Sequence, residues 1–547
     1  MQGRRSDQLS ELSGQEACIV EQGKHPQKIV IVGGGITGLA AAHALAQANA
    51  RYGWGIETTL IEATARFGGK VQTEHADGFL VEQGPDSMLA RKIEAQQLCV
   101  ELGLADDLVG SSRQHSGTFV VHRGRLEPLP ESMVLVAPTH LRPWLKTRLL
   151  SPAGKLRAAL DLILPARTGE ADESLAAFVS RRFGHEVAER LAIPLLASVY
   201  GGGRGDLSVQ ATFPELHALE RAHRSLLLGL RATATRQNRV TRPAGGASSS
   251  VFVSLRRGMH SMVARAVERL EGARLLCGAP VVGLTLSRQP HEGWRYGLHL
   301  AGGGVVEADG VILATPAFVT QRLVERLAPP AAEALVGIEY QNTIVVVVAY
   351  PRERIAHPLN GTGFLVPAAE QRRIIACTWL SQKWPHTSPT DRALLRCYVG
   401  GREAPALMAL PDDALVGLVH DELRDLLGAE GAPVFSRVYR WGKAIPRYAV
   451  GHLERVRRAE AALRALPSIA IAGAGYRGIG VPDCIRQGRA AAAALLGMPV
   501  GREAVSEDIL TEPRGRPPDT AEASSRDSGA RAAALPQAWP QATVATE

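Results

Sequence analysis

Cysteine is scarce in this sequence, and long apolar runs are missing. Only six cysteines occur in 547 residues, and they lie far apart with no CxxC or Cys/His ligand spacing. This spacing excludes a disulfide framework and a structural zinc site, and it favours a reducing cytoplasm. Apolar stretches such as 344–349 end after a few residues and are too short to span a bilayer. The sequence therefore predicts a cytoplasmic protein with no metal and no transmembrane segment.

A concentrated basic patch is also missing. The net charge is +8 at pH 7, but the arginines are spread along the chain and interleaved with acids. This distribution does not predict a nucleic-acid partner. The alternative that we keep open is that the positive charge attracts an anionic small molecule.

The chain is too long for one compact core and predicts two or three domains. Its hydrophobic fraction of 45% and charged fraction of 21% are those of an ordinary globular protein. Residues 1–27 are polar, with no apolar stretch after a basic start, and predict a disordered extension. Residues 500–547 are rich in Pro, Ala, Ser and Glu and predict a disordered tail.

The segment that begins at Lys28 predicts a dinucleotide-binding fold. KIVIV, GGGITG, an alanine-rich stretch and TTLIE indicate a strand, a glycine turn, a helix and a second strand. In this setting Gly33 permits a tight turn, Gly35 lets the backbone approach a pyrophosphate, and Gly38 lets helix and strand pack closely. The phosphates are expected at the positive end of the helix that begins near Thr37.

The residues after the second strand favour FAD. Glu62 can accept hydrogen bonds from ribose hydroxyls and would repel a 2′-phosphate, which favours FAD or NAD over NADP. Gly68 and Gly69 follow and let backbone lie against a bulky ligand, although an ordinary turn is the alternative interpretation. A second small-residue turn follows at 84–89, and a late helix that begins near Pro482 could direct its positive end toward a flavin pyrimidine.

These motifs together resemble a known family. VGGGITGLAAA, LIEATARFGGKVQT, GFLVEQGPDSML, RSLLLGL, TWLSQKWPH and GIGVPDCIRQG are similar to the bacterial soluble porphyrinogen oxidases. That family comprises oxygen-dependent coproporphyrinogen III oxidases and protoporphyrinogen oxidases, and it lies within the flavin amine oxidase superfamily. The likeness covers about residues 28–496, and GPDS, KWPH and GIGVPDCI are its narrower signals.

The resemblance implies an α/β (α+β) fold with three parts. These are a Rossmann-like FAD-binding domain, a mixed-sheet substrate domain and a helical insertion domain. Helical periodicity dominates from about residue 90 to 230, and apolar β runs follow from 343 to 440. The predicted boundaries are 28–92, 251–320 and 451–499 for the FAD-binding domain, 93–210 for the helical domain, and 211–250 with 321–450 for the substrate domain.

The resemblance also implies the binding residues. Those predicted to contact FAD are Gly33, Gly34, Gly35, Ile36, Thr37, Gly38, Glu62, Ala63, Gly69, Lys70, Gly84, Pro85, Asp86, Ser87, Val281, Trp441, Ile479, Gly480, Val481 and Pro482. Those predicted to contact the porphyrin are Lys92, Val199 and Tyr398. For Lys92 an ordinary surface lysine is the alternative, and for Tyr398 a core aromatic is the default.

The implied reaction needs no nominated catalytic side chain. A bridging C–H between two pyrroles can leave as hydride, and flavin N5 is the natural acceptor. Six electrons leave the porphyrinogen, and O2 reoxidises the flavin with release of H2O2. The pyrrole nitrogens lose protons readily, so the protein mainly has to position the substrate. His386 is interpreted as a structural or solvated loop histidine.

The favoured substrate is coproporphyrinogen III in heme biosynthesis, and protoporphyrinogen IX is the alternative. More distant alternatives are a flavin amine oxidase, for which Trp379, Trp384 and Trp441 could form a cage, a carotenoid desaturase, and a non-catalytic flavin-binding protein. The expected partners are the porphyrinogen and O2, with transient contact to a ferrochelatase. The chain is expected to be a monomer or a homodimer.

Overall fold

The computed structural model describes most of the chain between its two ends. The described residues are 27–112, 114, 117–130, 133–134, 137–138, 141–197, 200, 205–240, 250–289, 293–400 and 404–498. The predicted tail 500–547 lies outside them, as does the predicted extension apart from Gln27. The predicted porphyrin contact Val199 also lies outside the described residues.

Strands and helices occur throughout the described part of the chain. The strands are β1 (Lys28–Val32), β2 (Glu57–Ile61), β3 (Thr73–Ala76), β4 (Phe79–Glu82), β5 (Met88–Leu89), β6 (Leu108–Gly110), β7 (Thr118–His122), β8 (Arg125–Pro128), β9 (Met133–Val134), β10 (Ala137–Pro138), β11 (Phe252–Leu255), β12 (Arg274–Leu276), β13 (Val281–Gln289), β14 (Gly293–Leu300), β15 (Val305–Ala308), β16 (Gly310–Leu313), β17 (Tyr340–Pro351), β18 (Gly363–Leu365), β19 (Ile374–Trp379), β20 (Arg392–Val399), β21 (Phe435–Pro446) and β22 (Ile469–Ile471). The α-helices are α1 (Ile36–Tyr52), α2 (Glu94–Glu101), α3 (Leu141–Lys146), α4 (Pro152–Ala159), α5 (Leu175–Phe183), α6 (His185–Val187), α7 (Ile193–Ala197), α8 (Val209–Thr212), α9 (Pro214–His223), α10 (Leu226–Val240), α11 (His260–Glu268), α12 (Ala317–Val324), α13 (Pro329–Val336), α14 (Leu380–Lys383), α15 (Ala404–Leu407), α16 (Asp412–Leu427), α17 (His452–Leu463) and α18 (Val481–Leu495).

A parallel five-stranded sheet carries the glycine turn. Its strand order is β12-β2-β1-β16-β22, and each neighbouring pair is parallel. Both faces are covered, which explains why β1 is an almost continuous apolar run. Ile29 and Ile31 pack toward α1, α11 and α18, whereas Val30 and Val32 pack toward β14, α12 and α13. The α/β class with a Rossmann-like sheet is confirmed.

A mixed seven-stranded sheet forms a second layer, with the order β21-β17-β20-β19-β18-β7-β8. Neighbours are antiparallel except β7 and β18. Strands β7 and β8 come from the stretch 93–210, for which we expected helices. Strand β7 is hard to recognise in the sequence because helical periodicity dominates the residues around it. Its partner β18 is far away in the chain, so the pairing leaves no local signal.

Helices α4 to α10 share one apolar cluster. Phe178 and Leu191 lie at its centre with at most 1% exposure, and Leu216 and Leu226 pack with them. Helices α9 and α10 come from residues that we placed with the substrate domain, yet their leucines belong to this helical cluster. The domain boundaries stay a prediction, and these two helices pack with residues that we placed in the helical domain.

Three properties of the described residues bear on function. No described helix combines the length and the apolar character needed to cross a bilayer. Within the same residues, no group of three or more His, Cys, Asp or Glu side chains is arranged to hold a metal ion. Cys99, Cys377, Cys397 and Cys484 are buried free thiols, and Cys277 is an exposed one.

A buried ion network holds the helical cluster together. Arg182 is fully buried, and its Nε donates to Asp161 Oδ1 at 2.6 Å. Nη2 donates to the carbonyls of Asp161 and Arg224, and Nη1 lies 3.4 Å from Glu220 Oε1. Asp161 in turn accepts from the hydroxyl of Ser225 at 2.6 Å. A buried charge of this kind is tolerated because every nitrogen has a partner.

Removal of the Arg182 charge should make the helical cluster easier to unfold. We expect Arg182→Met to lower the free energy of unfolding by about 3–5 kcal/mol, because the Asp161 carboxylate loses its compensating charge. Urea unfolding followed by circular dichroism measures the change. Arg424→Met is the control, since Arg424 and Asp421 form an exposed pair that contributes at most about 1 kcal/mol. Equal losses in the two variants would contradict this account.

Candidate functional site

The glycine turn at the start of α1 has one open position among closely packed glycines. A Cβ on Gly33, which has a φ of +107°, would lie 2.7 Å from the Ala314 carbonyl oxygen. A Cβ on Gly38 would overlap the Gly33 carbonyl oxygen. Gly35, by contrast, has no protein atom within 4 Å of an added Cβ. Protein packing therefore requires Gly33 and Gly38, whereas Gly35 borders free space at the start of the helix.

The first turn of α1 is suited to an anion. Gly35 is the N-cap residue and provides no side-chain cap, and the helix begins at Ile36, one residue earlier than predicted. The amide groups at the start of a helix carry partial positive charge and need acceptors. A pyrophosphate next to Gly35 would supply those acceptors.

Glu62 lies beside the glycine turn and is 9% exposed. Its Oε2 accepts from the amide of Gly34 at 2.7 Å. Its Oε1 accepts from the amide and the hydroxyl of Thr64, both at 2.8 Å. The carboxylate is thus held rigidly after β2, with one acceptor position on Oε2 left for a ribose hydroxyl. Ala63, the next predicted contact, is exposed.

The paired glycines after Glu62 lie directly against this turn. Gly68 forms a bridge with Gly35, and its amide donates to the Gly34 carbonyl at 2.8 Å. A Cβ on Gly69, which has a φ of +56°, would lie 3.2 Å from the Gly35 Cα. Backbone therefore meets backbone around Gly35, and side chains are excluded from this edge of the site.

Lys70 and Gly84 extend the same surface. A Cβ on Gly84 would overlap the Lys70 carbonyl oxygen, so the two segments are in close contact. Lys70 keeps accessible surface although desolvation lowers the pKa of its ammonium group. That combination is expected of a side chain in an enclosed cleft. Among the described residues, no acid or hydrogen-bond acceptor is paired with this ammonium, which leaves it available to a ligand.

The turn Gly84–Ser87 is held by two buried cations. Lys383, which is 9% exposed, donates to Asp86 Oδ2 at 3.0 Å and to Ser87 Oγ at 3.2 Å. Arg396 donates to the Gly84 carbonyl. Desolvation would raise the pKa of Asp86, but Lys383 and Arg396 outweigh it and hold that pKa well below its usual range. We did not predict either cation, although Lys383 lies in the KWPH motif that we recognised.

Two predicted contacts from distant segments reach the same region. The indole of Trp441, on β21, donates to the Gln83 carbonyl at 2.9 Å. Val281 begins β13, directly after a segment whose Ala279 amide donates to the Glu62 carbonyl at 3.0 Å. The structure thus brings Val281 to the Glu62 end and Trp441 to the Gly84 end.

The loop 479–482 leads into α18 beside the glycine turn. Gly480 is the N-cap of that helix, and Val481 and Pro482 form its first turn. A Cβ on Gly488 would overlap the Thr37 carbonyl oxygen, so α18 packs closely on α1. The first turn of α1 therefore packs against α18.

Asp483 was not predicted and changes the interpretation of Lys92. The Lys92 ammonium donates to Asp483 Oδ1 at 2.7 Å and to Oδ2 at 2.6 Å. Asp483 is buried, whereas the Lys92 side chain is 35% exposed. Lys92 therefore ties the predicted flavin loop to the end of β5, and a propionate would have to share its charge with Asp483.

The predicted substrate wall lies on one face of the seven-stranded sheet. Tyr398 is on β20, and the Arg396 guanidinium lies 5.0 Å from its ring centroid. Trp384 packs on this face with Val345, whereas Trp379 packs on the opposite face with Val346. Successive residues of a strand point to opposite faces, so Trp379 and Trp384 cannot form one amine cage.

His386 lies apart from the glycine surface. It lines a cleft of about 440 Å³ formed by the β3–β4 hairpin with Arg256 and Arg257. None of the predicted flavin-binding residues lines this cleft. Burial and the nearby Arg256 lower the pKa of His386. Its position is compatible with the structural role that we expected.

Comparison with known proteins agrees with this geometry. The sequence pattern described as flavin containing amine oxidoreductase matches residues 36–496. The chain belongs to this family. Coproporphyrinogen III oxidase of Bacillus subtilis (strain 168) is 36% identical over 470 residues, which covers 85% of this chain and 96% of that protein. Chloroplastic protoporphyrinogen oxidase of Nicotiana tabacum is 30% identical over 482 residues, or 83% of each chain.

A solved structure shows the same fold over nearly its whole length. The crystal structure assigned as protoporphyrinogen oxidase of Exiguobacterium sp. 255-15 has a TM-score of 0.74 and 33% identity. It covers 87% of this chain and 99% of that one. As a flavin-containing amine oxidoreductase, this protein takes FAD as its cofactor. The open position at Gly35, the uncapped start of α1 and the Glu62 carboxylate fit the dinucleotide part of that group.

Substitution of Gly35 should separate flavin binding from folding. In Gly35→Ala the new Cβ meets no protein atom but enters the predicted pyrophosphate position. We expect the FAD dissociation constant to rise about tenfold or more, or about 1.4 kcal/mol, with an unchanged melting temperature of the flavin-free protein. Gly38→Ala is the matched control and should lose about 1–3 kcal/mol of stability through overpacking. Full flavin retention in Gly35→Ala would exclude this position for the pyrophosphate.

Glu82 should make stability depend on pH. It is 4% exposed, and desolvation raises its pKa to about 7 despite hydrogen bonds from the Met259 amide and the Thr73 hydroxyl. The folded protein therefore binds this proton more tightly than the unfolded chain, whose glutamate pKa is about 4.3. This contribution to stability is fully present below pH 4.3 and is lost as pH rises through about 7.

In Glu82→Gln this loss should disappear. When the pH is raised from 5 to 8, we expect the free energy of unfolding of the variant to rise by up to about 3 kcal/mol relative to that of the native protein. Urea unfolding at the two pH values measures this difference. Glu454→Gln is the control, because Glu454 is paired with Arg457 on the exposed side of α17. Parallel pH profiles for Glu82→Gln and the native protein would contradict a raised pKa.

Proposed function

We propose that this protein oxidises coproporphyrinogen III to coproporphyrin III in heme biosynthesis, with O2 as the acceptor and H2O2 as the second product. The observation that carries the proposal is the match to a coproporphyrinogen III oxidase over nearly the whole of both chains. The predicted flavin contacts from Ile36 to Pro482 support it, since they lie within the residues that the family pattern matches.

The bound flavin would supply the hydride acceptor and the site for reaction with O2. The residues of the chain bind and orient it. The uncapped start of α1 and the Lys70 ammonium would contact the phosphates or the edge of the flavin ring. Glu62 would accept a hydrogen bond from a ribose hydroxyl. Lys383, Arg396 and Trp441 hold the turn 84–87 in place.

The substrate would lie beside the turn 84–87, on the face of the seven-stranded sheet that carries Tyr398. We propose Tyr398 as part of the wall that excludes water. We propose Lys92 as a contact at the mouth, where it has one N–H beyond the two directed at Asp483. Coproporphyrinogen has four carboxylates and protoporphyrinogen has two, so cations at the mouth favour the former. No side chain is proposed as a catalytic acid or base.

Protoporphyrinogen IX oxidation is the second candidate, because a chloroplastic relative of that name also matches most of the chain. An amine oxidase activity is less well supported, since Trp379 and Trp384 pack on opposite faces of the sheet.

The free thiols are compatible with a reducing compartment, and we propose the cytoplasm. Transient contact with a ferrochelatase and a monomeric or homodimeric state are also proposals.

Anaerobic reduction of the bound flavin tests the function. Addition of coproporphyrinogen III should bleach the flavin absorbance, because each flavin takes up two of the six electrons. Admission of air should restore the colour, release H2O2 and complete the oxidation to coproporphyrin. We expect kcat/KM for coproporphyrinogen III to exceed that for protoporphyrinogen IX by about tenfold, a difference of about 1.4 kcal/mol in transition-state binding. Putrescine or spermidine should leave the flavin oxidised. Bleaching by an amine but by neither porphyrinogen would refute the proposal.

A further inference from the structure

Arg396 lies where three of the predicted flavin-binding segments meet. It is on β20, which is paired on both sides by β17 and β19, and it is 2% exposed. Its Nη2 donates to the Gly84 carbonyl. Gly84 contacts Lys70, and the preceding Gln83 carbonyl accepts from Trp441. A group at this junction can influence a flavin without lying at the mouth of the cavity.

The guanidinium of Arg396 is not satisfied by the protein. Neither Nε nor Nη1 has a hydrogen-bond partner among the described residues. Arg182 is equally buried, yet its nitrogens meet Asp161, Glu220 and backbone carbonyls. Unpaired buried donors are costly, particularly when they carry charge. Because these nitrogens are enclosed by protein, the charge of Arg396 acts on its surroundings through space rather than through a further hydrogen bond.

The charges around Arg396 leave an excess of positive charge. Lys383 and Arg396 are cations, and the ionised Asp86 compensates one of them. Glu82 is the other nearby acid, and burial raises its pKa to about 7, so it is only partly ionised near neutral pH. One buried positive charge therefore remains without a full counter-charge.

We propose that Arg396 is a positioning residue that stabilises, through its own charge, the negative charge acquired by the flavin on reduction, while it holds the Gly84 carbonyl in place. An oxidised flavin ring is neutral, and hydride transfer adds a negative charge that a preorganised cation in a dry site stabilises strongly. The inference rests on FAD and on its contact with the turn 84–87. It does not depend on which porphyrinogen is oxidised.

A carboxylate of the substrate is the competing partner for Arg396. The 2% exposure argues against it, because anchoring a propionate requires direct contact, whereas an enclosed guanidinium can act on a flavin through its field. A substrate carboxylate and a flavin would reveal themselves in different measured quantities. A substrate anchor would change KM and leave the flavin potential unaltered, whereas a flavin partner changes the potential in the absence of substrate.

The midpoint potential of the bound flavin provides the test. In Arg396→Met, which keeps the length of the side chain and removes its charge, the two-electron reduction equilibrium should become at least tenfold less favourable, or about 30 mV more negative. Arg396→Lys should recover most of the loss. The potential depends on the ratio of the affinities for reduced and oxidised flavin, so a merely loosened turn, which weakens both equally, leaves it unchanged.

Arg437→Met is the matched control, because Arg437 is on β21 of the same sheet and its charge is compensated by Glu74 at 2.7 Å. The midpoint potential of the flavin in Arg437→Met should equal that in the native protein. Asp86→Asn removes the nearby negative charge and should shift the equilibrium in the opposite direction, toward the reduced flavin. If Arg396→Met does not fold, the potential of Asp86→Asn still tests the proposal.

An unchanged potential in Arg396→Met would overturn the proposal, as would an unchanged or more negative potential in Asp86→Asn. A raised KM with an unaltered potential would assign Arg396 to the substrate and would also overturn it. Failure of the native protein to oxidise either porphyrinogen would refute the proposed function alone, since the potentials are measured without substrate.

Discussion

Close approach of backbone to backbone around Gly35 is the constraint on which the rest of the site depends. Gly68 bridges to Gly35, Gly38 lies on the Gly33 carbonyl, and Gly84 lies on the Lys70 carbonyl. Any side chain at these contacts would separate the segments. Their absence leaves amide groups and open space at the start of α1, where a dinucleotide can lie against the main chain.

Buried charge serves two purposes in this fold. Arg182 and its acidic partners form a compensated network that joins helices of one cluster. Around the turn 84–87 the compensation is incomplete, because Arg396 has donors without protein partners. A buried charge without a full counter-charge is costly to the fold. In the proposed function this cost at Arg396 is offset by stabilisation of the reduced flavin.

Much of the cofactor surface was predictable because its signals are local. The glycine turn, Glu62 and the pair Gly68–Gly69 lie within one βαβ unit, so their spacing follows from the geometry of a strand and a helix. Lys383, Arg396 and Asp483 were missed for the opposite reason. Each meets its partner hundreds of residues away, at Asp86, Gly84 and Lys92, and a buried cation looks like any other lysine or arginine in sequence.

The sequence by itself determined the α/β class, the phosphate-binding turn and the family, because glycine spacing and apolar periodicity are set by short-range backbone geometry. Only the tertiary structure decided that β7 and β8 join the seven-stranded sheet and that Trp379 and Trp384 face opposite sides. It also decided that Leu156 and Ile163, on and just after α4, are about 70% exposed. Such outcomes depend on which distant segments pack together, and periodicity along one segment does not specify its partner.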